Sequence, residues 1–123
     1  MRKLLMVLLF AVITQISTAQ ISNTTWKGIF KVPDPTEMVL QFKADTLLVN
    51  TTDDDETVEA MKYTIKNDTI SIIKIFGESD CSGDSLAICK ILIKDDKLYI
   101  SSIKDDCPQR ADAWPEEGMI RLK

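Results

Sequence analysis

The sequence predicts an all-β protein, a small antiparallel up-and-down barrel of about eight short strands. Two observations predict it. A turn motif of the form apolar, Lys, turn, Asp, polar, apolar occurs three times, as Phe42-Lys43-Ala44-Asp45-Thr46-Leu47, Ile65-Lys66-Asn67-Asp68-Thr69-Ile70 and Ile93-Lys94-Asp95-Asp96-Lys97-Leu98. Short runs of alternating apolar and polar residues flank each copy, the pattern of a β-hairpin with one buried face. Asp and Asn suit such turns because their side chains bond nearby backbone and they tolerate left-handed conformations.

The chain begins with a segment that the fold does not need. Arg2 and Lys3 precede ten consecutive apolar residues, Leu4 to Ile13, and the stretch ends Ser17-Thr18-Ala19. A basic start, a short apolar run and small residues before a cleavage point describe a signal peptide over residues 1–19. The alternative is a retained anchor, but a helix needs about 20 apolar residues to span a bilayer. Cleavage leaves one domain, residues 20–123, secreted or periplasmic and without a stable membrane anchor. Export also permits disulfides.

Residues 25–32 read as the opening strand, with Trp26 and Phe30 on one side and Ile29 on the other. A loop at Pro33-Asp34-Pro35 follows. Counting outward from two-residue turns at 44–45, 67–68 and 95–96 sorts the hairpins by face, because side chains alternate along a strand. The first hairpin then points Met38, Leu40, Phe42, Leu47 and Val49 inward. The second points Met61, Tyr63, Ile65, Ile70 and Ile72 inward, and the third Cys89, Ile91, Ile93, Leu98 and Ile100. All fifteen are apolar or aromatic, and a one-residue slip would turn every one outward. Further loops fall at 53–56, 77–84 and 105–117, the last with a helical turn around 109–113. Residues 118–122 form the closing strand. Eight strands suffice to close a small barrel, with an open or two-layer sheet as the competing arrangement.

Three cysteines suggest one bridge and one leftover thiol. In the third hairpin Cys89 lies opposite Ser102, and position 107 opposite position 84. Cys89 and Cys107 are thus separated by about 16 Å along the sheet, whereas a bridge needs Cα atoms within about 7 Å. The loop carrying Cys81 adjoins position 84. The expected bridge is Cys81–Cys107, with Cys89 a buried free thiol.

Composition removes several kinds of function. There is no His, hence no His-based catalysis and no His-ligated zinc. No phosphate-binding Gly loop is present. No catalytic set is recognisable and no cofactor or metal is implied, so the chain does not read as an enzyme. An enzyme lacking His would need an acidic pair or a bound cofactor. Of 15 Lys and Arg, removal of Arg2 and Lys3 leaves 13 against 19 Asp and Glu, a net charge of −6. A domain of that charge does not attract nucleic acid. The acidic run Asp53-Asp54-Asp55-Glu56 offers oxygen ligands for calcium but lacks EF-hand spacing, and a solvated loop is the simpler reading. Arg110 and Trp114, residue types favoured at binding hot spots, mark the loop after Cys107 as a candidate interaction loop. Alternatively, Trp114 plugs one end of the barrel while Arg110 pairs with a carboxylate.

A signal peptide, then Trp26-Lys27-Gly28 opening the first strand, then a hairpin meander, resembles the small bacterial lipocalin-like proteins of the calycin group. In that group a Trp near a Gly on the first strand is covered by a late Arg, here with the order Trp-x-Gly in place of Gly-x-Trp. The resemblance implies those parts for Trp26 and Arg121, through a cation–π contact. It also frames the two leading functions. One is binding of a small apolar ligand in the barrel interior, at Met38, Leu40, Phe42, Met61, Tyr63, Ile72, Ile91 and Ile100, since ligand pockets are mostly apolar. The other is a filled barrel that binds a secreted or envelope protein, as calycin-type inhibitors of secreted proteases do. Apolar residues on the expected outer face, among them Ile73, Ile75, Leu92 and Ile103, bear on the second.

Overall fold

The computed structural model describes residues 18–53, 56–77 and 79–123. The expected signal peptide lies almost wholly outside them. A helical turn, α1 (Thr18–Ile21), leads into β1 (Thr25–Lys31), β2 (Pro35–Phe42), β3 (Thr46–Thr51), β4 (Thr57–Lys66), β5 (Thr69–Gly77), β6 (Leu86–Lys94) and β7 (Lys97–Asp105). A second short helix, α2 (Pro108–Ala111), precedes β8 (Met119–Arg121). Each strand pairs with the next, and β8 returns to β1, so the eight strands form a closed up-and-down barrel. The closing seam is short: β8 pairs with Trp26 and Lys27 of β1 and with Lys97 and Leu98 of β7.

The hairpin registers are those that the turn motifs predict: Phe42 faces Leu47, Lys66 faces Thr69, and Lys94 faces Lys97. The third turn has positive φ at both Asp95 (54°) and Asp96 (60°), the type I′ geometry that matches strand twist. The second has it at Asn67 (58°). Of the fifteen inward positions, twelve are buried; Met38, Ile65 and Ile93 are half-buried against the same core.

Counting alone misses three bulges. One residue is left without a partner between Thr57 and Glu59, one between Lys74 and Phe76, and one between Ser102 and Lys104. These are Val58, which is half-buried, and Ile75 and Ile103, both more than half exposed. A bulge inserts a residue and re-aims the strand beyond it, and all three lie towards the same end of the barrel. The remaining differences are at element ends. Pro35 starts β2 instead of belonging to the loop, which its missing N–H allows at a first strand position. The helical turn covers 108–111, where Pro108 has the fixed φ of a first helical residue. The closing strand is only three residues long.

The two ends of the barrel differ. The tight turns at 44–45, 67–68 and 95–96 gather at one end, which α1 closes with the fully buried Ile21. Tyr63 donates its phenol hydrogen to the Lys43 carbonyl there, and its oxygen lies 3.1 Å from the Ser22 hydroxyl. Trp26, Leu40, Phe42, Leu47, Ile70, Ile72 and Leu98 fill this half without measurable exposure or nearly so. Phe42 and Tyr63 meet edge to face at 5.3 Å. Trp26 donates to the Thr24 hydroxyl at 2.8 Å, and the Arg121 guanidinium lies 5.8 Å from its ring centroid. This is the covering contact expected of those two residues. Gly28 is required nearby, because a Cβ there would stand 2.6 Å from Met119 Cγ and 3.0 Å from Pro115 Cγ. The bare backbone lets the chain from 115 to 119 press against β1.

Candidate ligand cavity at the open end

The opposite end carries the longer connections, β1–β2, β3–β4, β5–β6 and β7–β8. Between them the barrel is hollow: a cavity of about 410 Å³ opens there, within the size range of small-molecule sites. Phe30 and Val32 line it from β1 and its exit, Met38 from β2, Val49 from β3, Val58 and Met61 from β4. Alternation explains why all but Val58 point inward, and Val58 is the extra residue of the bulge between β3 and β4. The inner faces simply continue past the filled half until side chains no longer meet across the barrel.

The mouth is built by the loop 79–85 and by α2. Cys81 and Cys107 join them covalently, with Cα atoms 5.5 Å apart. Cys81 itself lines the cavity. Arg110, 8% exposed, grips Asp105 through Nε at 2.9 Å and Nη2 at 2.7 Å. Its Nη2 also donates to the Ser85 carbonyl at 3.1 Å. The Asp105 side chain is fully buried and accepts from the Cys107 N–H at 2.8 Å. One buried ion pair thereby fixes β7, α2 and the end of the 79–85 loop together. Trp114, 7% exposed, packs on Phe30 with ring centroids 6.2 Å apart and forms part of the cavity wall.

A second buried cation holds the other side of the loop. Lys74 continues the inward row of Ile70 and Ile72, and its ammonium donates to the Ser79 and Cys81 carbonyls, both at 2.8 Å. Glu59, on the cavity wall, lies 3.8 Å from that ammonium and accepts from the Ser79 hydroxyl at 2.7 Å. Both positions follow from alternation, Lys74 from Ile70 and Ile72 on β5 and Glu59 from Tyr63 and Met61 on β4.

The expected interior residues divide between the two halves. Met38 and Met61 line the cavity. Leu40, Phe42, Tyr63, Ile72, Ile91 and Ile100 are not among its lining residues and pack in the core cluster. Tyr63 is occupied in sealing the closed end, and burial, with Asp45 adding to it against the Ser22 hydrogen bond, raises its pKa above the usual 10.0. Arg110 and Trp114 are buried at the mouth and not presented on an exposed loop, which is the plug-and-pair arrangement. Phe30, Val32, Val58, Glu59 and Ser79 are cavity residues that the hairpin count does not supply, because they lie where strands give way to loops.

Family models, curated proteins and solved structures were all compared with the chain, and none matches.

Cys89 is the free thiol, wholly buried in the core. Burial first, and then the Asp105 carboxylate, push it up to about 11 against a smaller opposing effect of Arg110. A thiol so protonated is a poor nucleophile. Among the described residues no group of three or more Cys, Asp or Glu is placed to hold a metal ion. Positions 54 and 55 of the acidic run lie outside those residues. Among the described residues no helix is long and apolar enough to cross a membrane.

Proposed function

We propose that this chain is an exported, lipocalin-like binder of a small apolar ligand, which it holds in the cavity at the open end of the barrel. The cavity carries the proposal: Phe30, Val32, Met38, Val49, Met61 and Trp114 give it mostly apolar walls beside a few fixed polar groups, the usual make-up of a ligand pocket. The Trp26–Arg121 contact supports the lipocalin-like reading. The buried disulfide is compatible with an oxidising compartment outside the cell. The test is native mass spectrometry of the protein purified from its own host without reduction. A mass that leaves on denaturation supports the binder; a bare protein mass counts against it.

A second reading is a protein-binding module, such as a calycin-type inhibitor of secreted proteases. Exposed apolar side chains on the outer wall favour it: Ile73 and Leu86 are cross-strand partners, and Ile75 extends the row along β5. Such a surface suits a partner when its apolar residues are contiguous.

A further inference from the structure

Half of the barrel's outer wall carries charge of one sign. The acidic residues of β4 to β7 are Glu59 and Asp105, and both are turned inward, one to the cavity and one to Arg110. Six lysines point outward from the same four strands: Lys62 and Lys66 on β4, Lys90 and Lys94 on β6, Lys97 and Lys104 on β7. Among the described residues none of the six has a carboxylate within ion-pair distance. Acids return at the two ends of the face, at Asp68, Asp95 and Asp96 in the turns and at Asp84 and Asp106 in the loops.

The same wall exposes apolar side chains. Ile73, Ile75, Phe76, Leu86, Leu92 and Ile103 are six of the nine large apolar residues exposed among the described residues. The registers set the two kinds side by side. Lys62 faces Ile73, which faces Leu86; two residues along, Ile88 faces Lys104. Ile73, Ile75, Leu86 and Ile88 thus lie on the middle strands, β5 and β6, and Lys62 and Lys104 bracket them on β4 and β7.

A cylinder laid on a plane meets it along the middle strands, while the flanking strands stand higher. The apolar side chains then enter the plane, and the lysines reach it on long flexible stems. An anionic lipid surface asks for that arrangement, with apolar groups at the acyl boundary and ammonium groups at the phosphates. A protein partner suits the face less well, because protein interfaces are poor in Lys and rich in aromatic residues and Arg, and no Arg lies on these strands. The net acidity of the domain does not prevent the contact, since exposed charges farther off than about 8 Å are largely screened at physiological salt.

We infer that the outer wall of β4 to β7 docks on an anionic lipid bilayer, with Ile73, Ile75 and Leu86 in the interface and Lys62, Lys90 and Lys104 on lipid phosphates. The contact is peripheral and reversible, and it does not depend on the cavity holding a ligand.

The test is co-sedimentation of the protein, purified from its own host, with vesicles of phosphatidylglycerol and phosphatidylcholine in equal parts, against vesicles of phosphatidylcholine alone. The protein is expected to prefer the anionic vesicles and to leave them as salt is raised. Each lysine near such a surface is worth about fivefold in affinity, so Lys62→Gln/Lys90→Gln/Lys104→Gln is expected to weaken binding about a hundredfold. Lys27→Gln/Lys43→Gln, on the opposite wall, should leave it nearly unchanged. Ile73→Ser/Leu86→Ser should weaken vesicle binding while eluting from heparin-agarose as the unmodified protein does. Equal sedimentation with both vesicles, or a triple lysine variant that binds as before, overturns the inference. So does the absence of vesicle binding, and retention on heparin-agarose in that case assigns the face to a soluble acidic partner. The substituted residues of the face are all exposed, and circular dichroism checks that each variant keeps the barrel. The contrast between the two vesicles in the unmodified protein decides the matter even if a variant does not fold.

Discussion

Arg110 and Asp105 form a two-point ion pair, Nε and Nη2 each on one carboxylate oxygen, with the carboxylate fully buried and the guanidinium side chain nearly so. Its position at the junction of β7 and α2 makes it the keystone of the cavity mouth. Removing one partner strands a charge in the interior. Asp105→Asn is therefore expected to lower stability by about 3–5 kcal/mol, and replacing both residues with apolar ones by less than Asp105→Asn does. Urea unfolding of the single and double variants measures both, and equal losses in the two would contradict this account.

The disulfide holds the other side of the mouth. Closing the loop from Cys81 to Cys107 should stabilise the fold by about 3–4 kcal/mol on the chain-entropy scale. Calorimetry of a Cys81→Ala/Cys107→Ala variant is expected to show a lower melting temperature. Because Cys81 lines the cavity, NMR signals from Met38 and Met61 should move as well, while those of Phe42 and Tyr63 at the sealed end should not.

Cys89 sets an alkaline limit. Its thiol is raised in the folded chain to about 11 from the ordinary 9.0. The folded state thus holds this proton more firmly than the unfolded state. The resulting stability is complete below about pH 9 and declines as pH rises from about 9 to 11. Cys89→Ala should flatten that decline. Tyr63 adds a further decline beginning near pH 10, because its pKa is raised too. Thiol-reactive dyes at neutral pH should label Cys89 only after unfolding.

The sealed and hollow halves should respond differently to truncation. Leu40→Ala opens a void in close-packed surroundings and is expected to cost about 2–5 kcal/mol. Met38→Ala, beside existing space, should cost less and should alter ligand affinity instead. Thermal unfolding and probe titration of the two variants separate these effects.

Gly28→Ala tests the notch beneath the closing segment. Its Cβ would overlap the buried Met119 side chain, and forced overpacking typically costs about 1–3 kcal/mol. Gly83, where an added Cβ meets nothing within 4 Å, is the control: Gly83→Ala should leave the melting temperature nearly unchanged.

The hairpins were legible because their information is local. Lys43-Ala44-Asp45-Thr46 and its two counterparts each fix a turn, the turn fixes a register, and the register sorts fifteen side chains. The cysteine pairing followed from the same count. The contact of Arg121 with Trp26 is what the resemblance implies, and periodicity does not supply it. The bulges at Ile75 and Ile103 were not legible: both are isoleucines in apolar strands, and nothing in the alternation distinguishes an unpaired residue from a paired one.

By itself, then, the sequence determined which residues face inward, because a period of two and a turn chemistry are properties of neighbouring residues. It also determined which two cysteines could meet. Only the tertiary structure decided how far the interior is filled. Whether Phe42 and Leu98 are sealed in the core while Phe30 and Met61 border a space depends on distances between strands, on three bulges, and on where loops fold over the open end. For the same reason only the fold could place Arg110 and Trp114 together on the wall of one cavity.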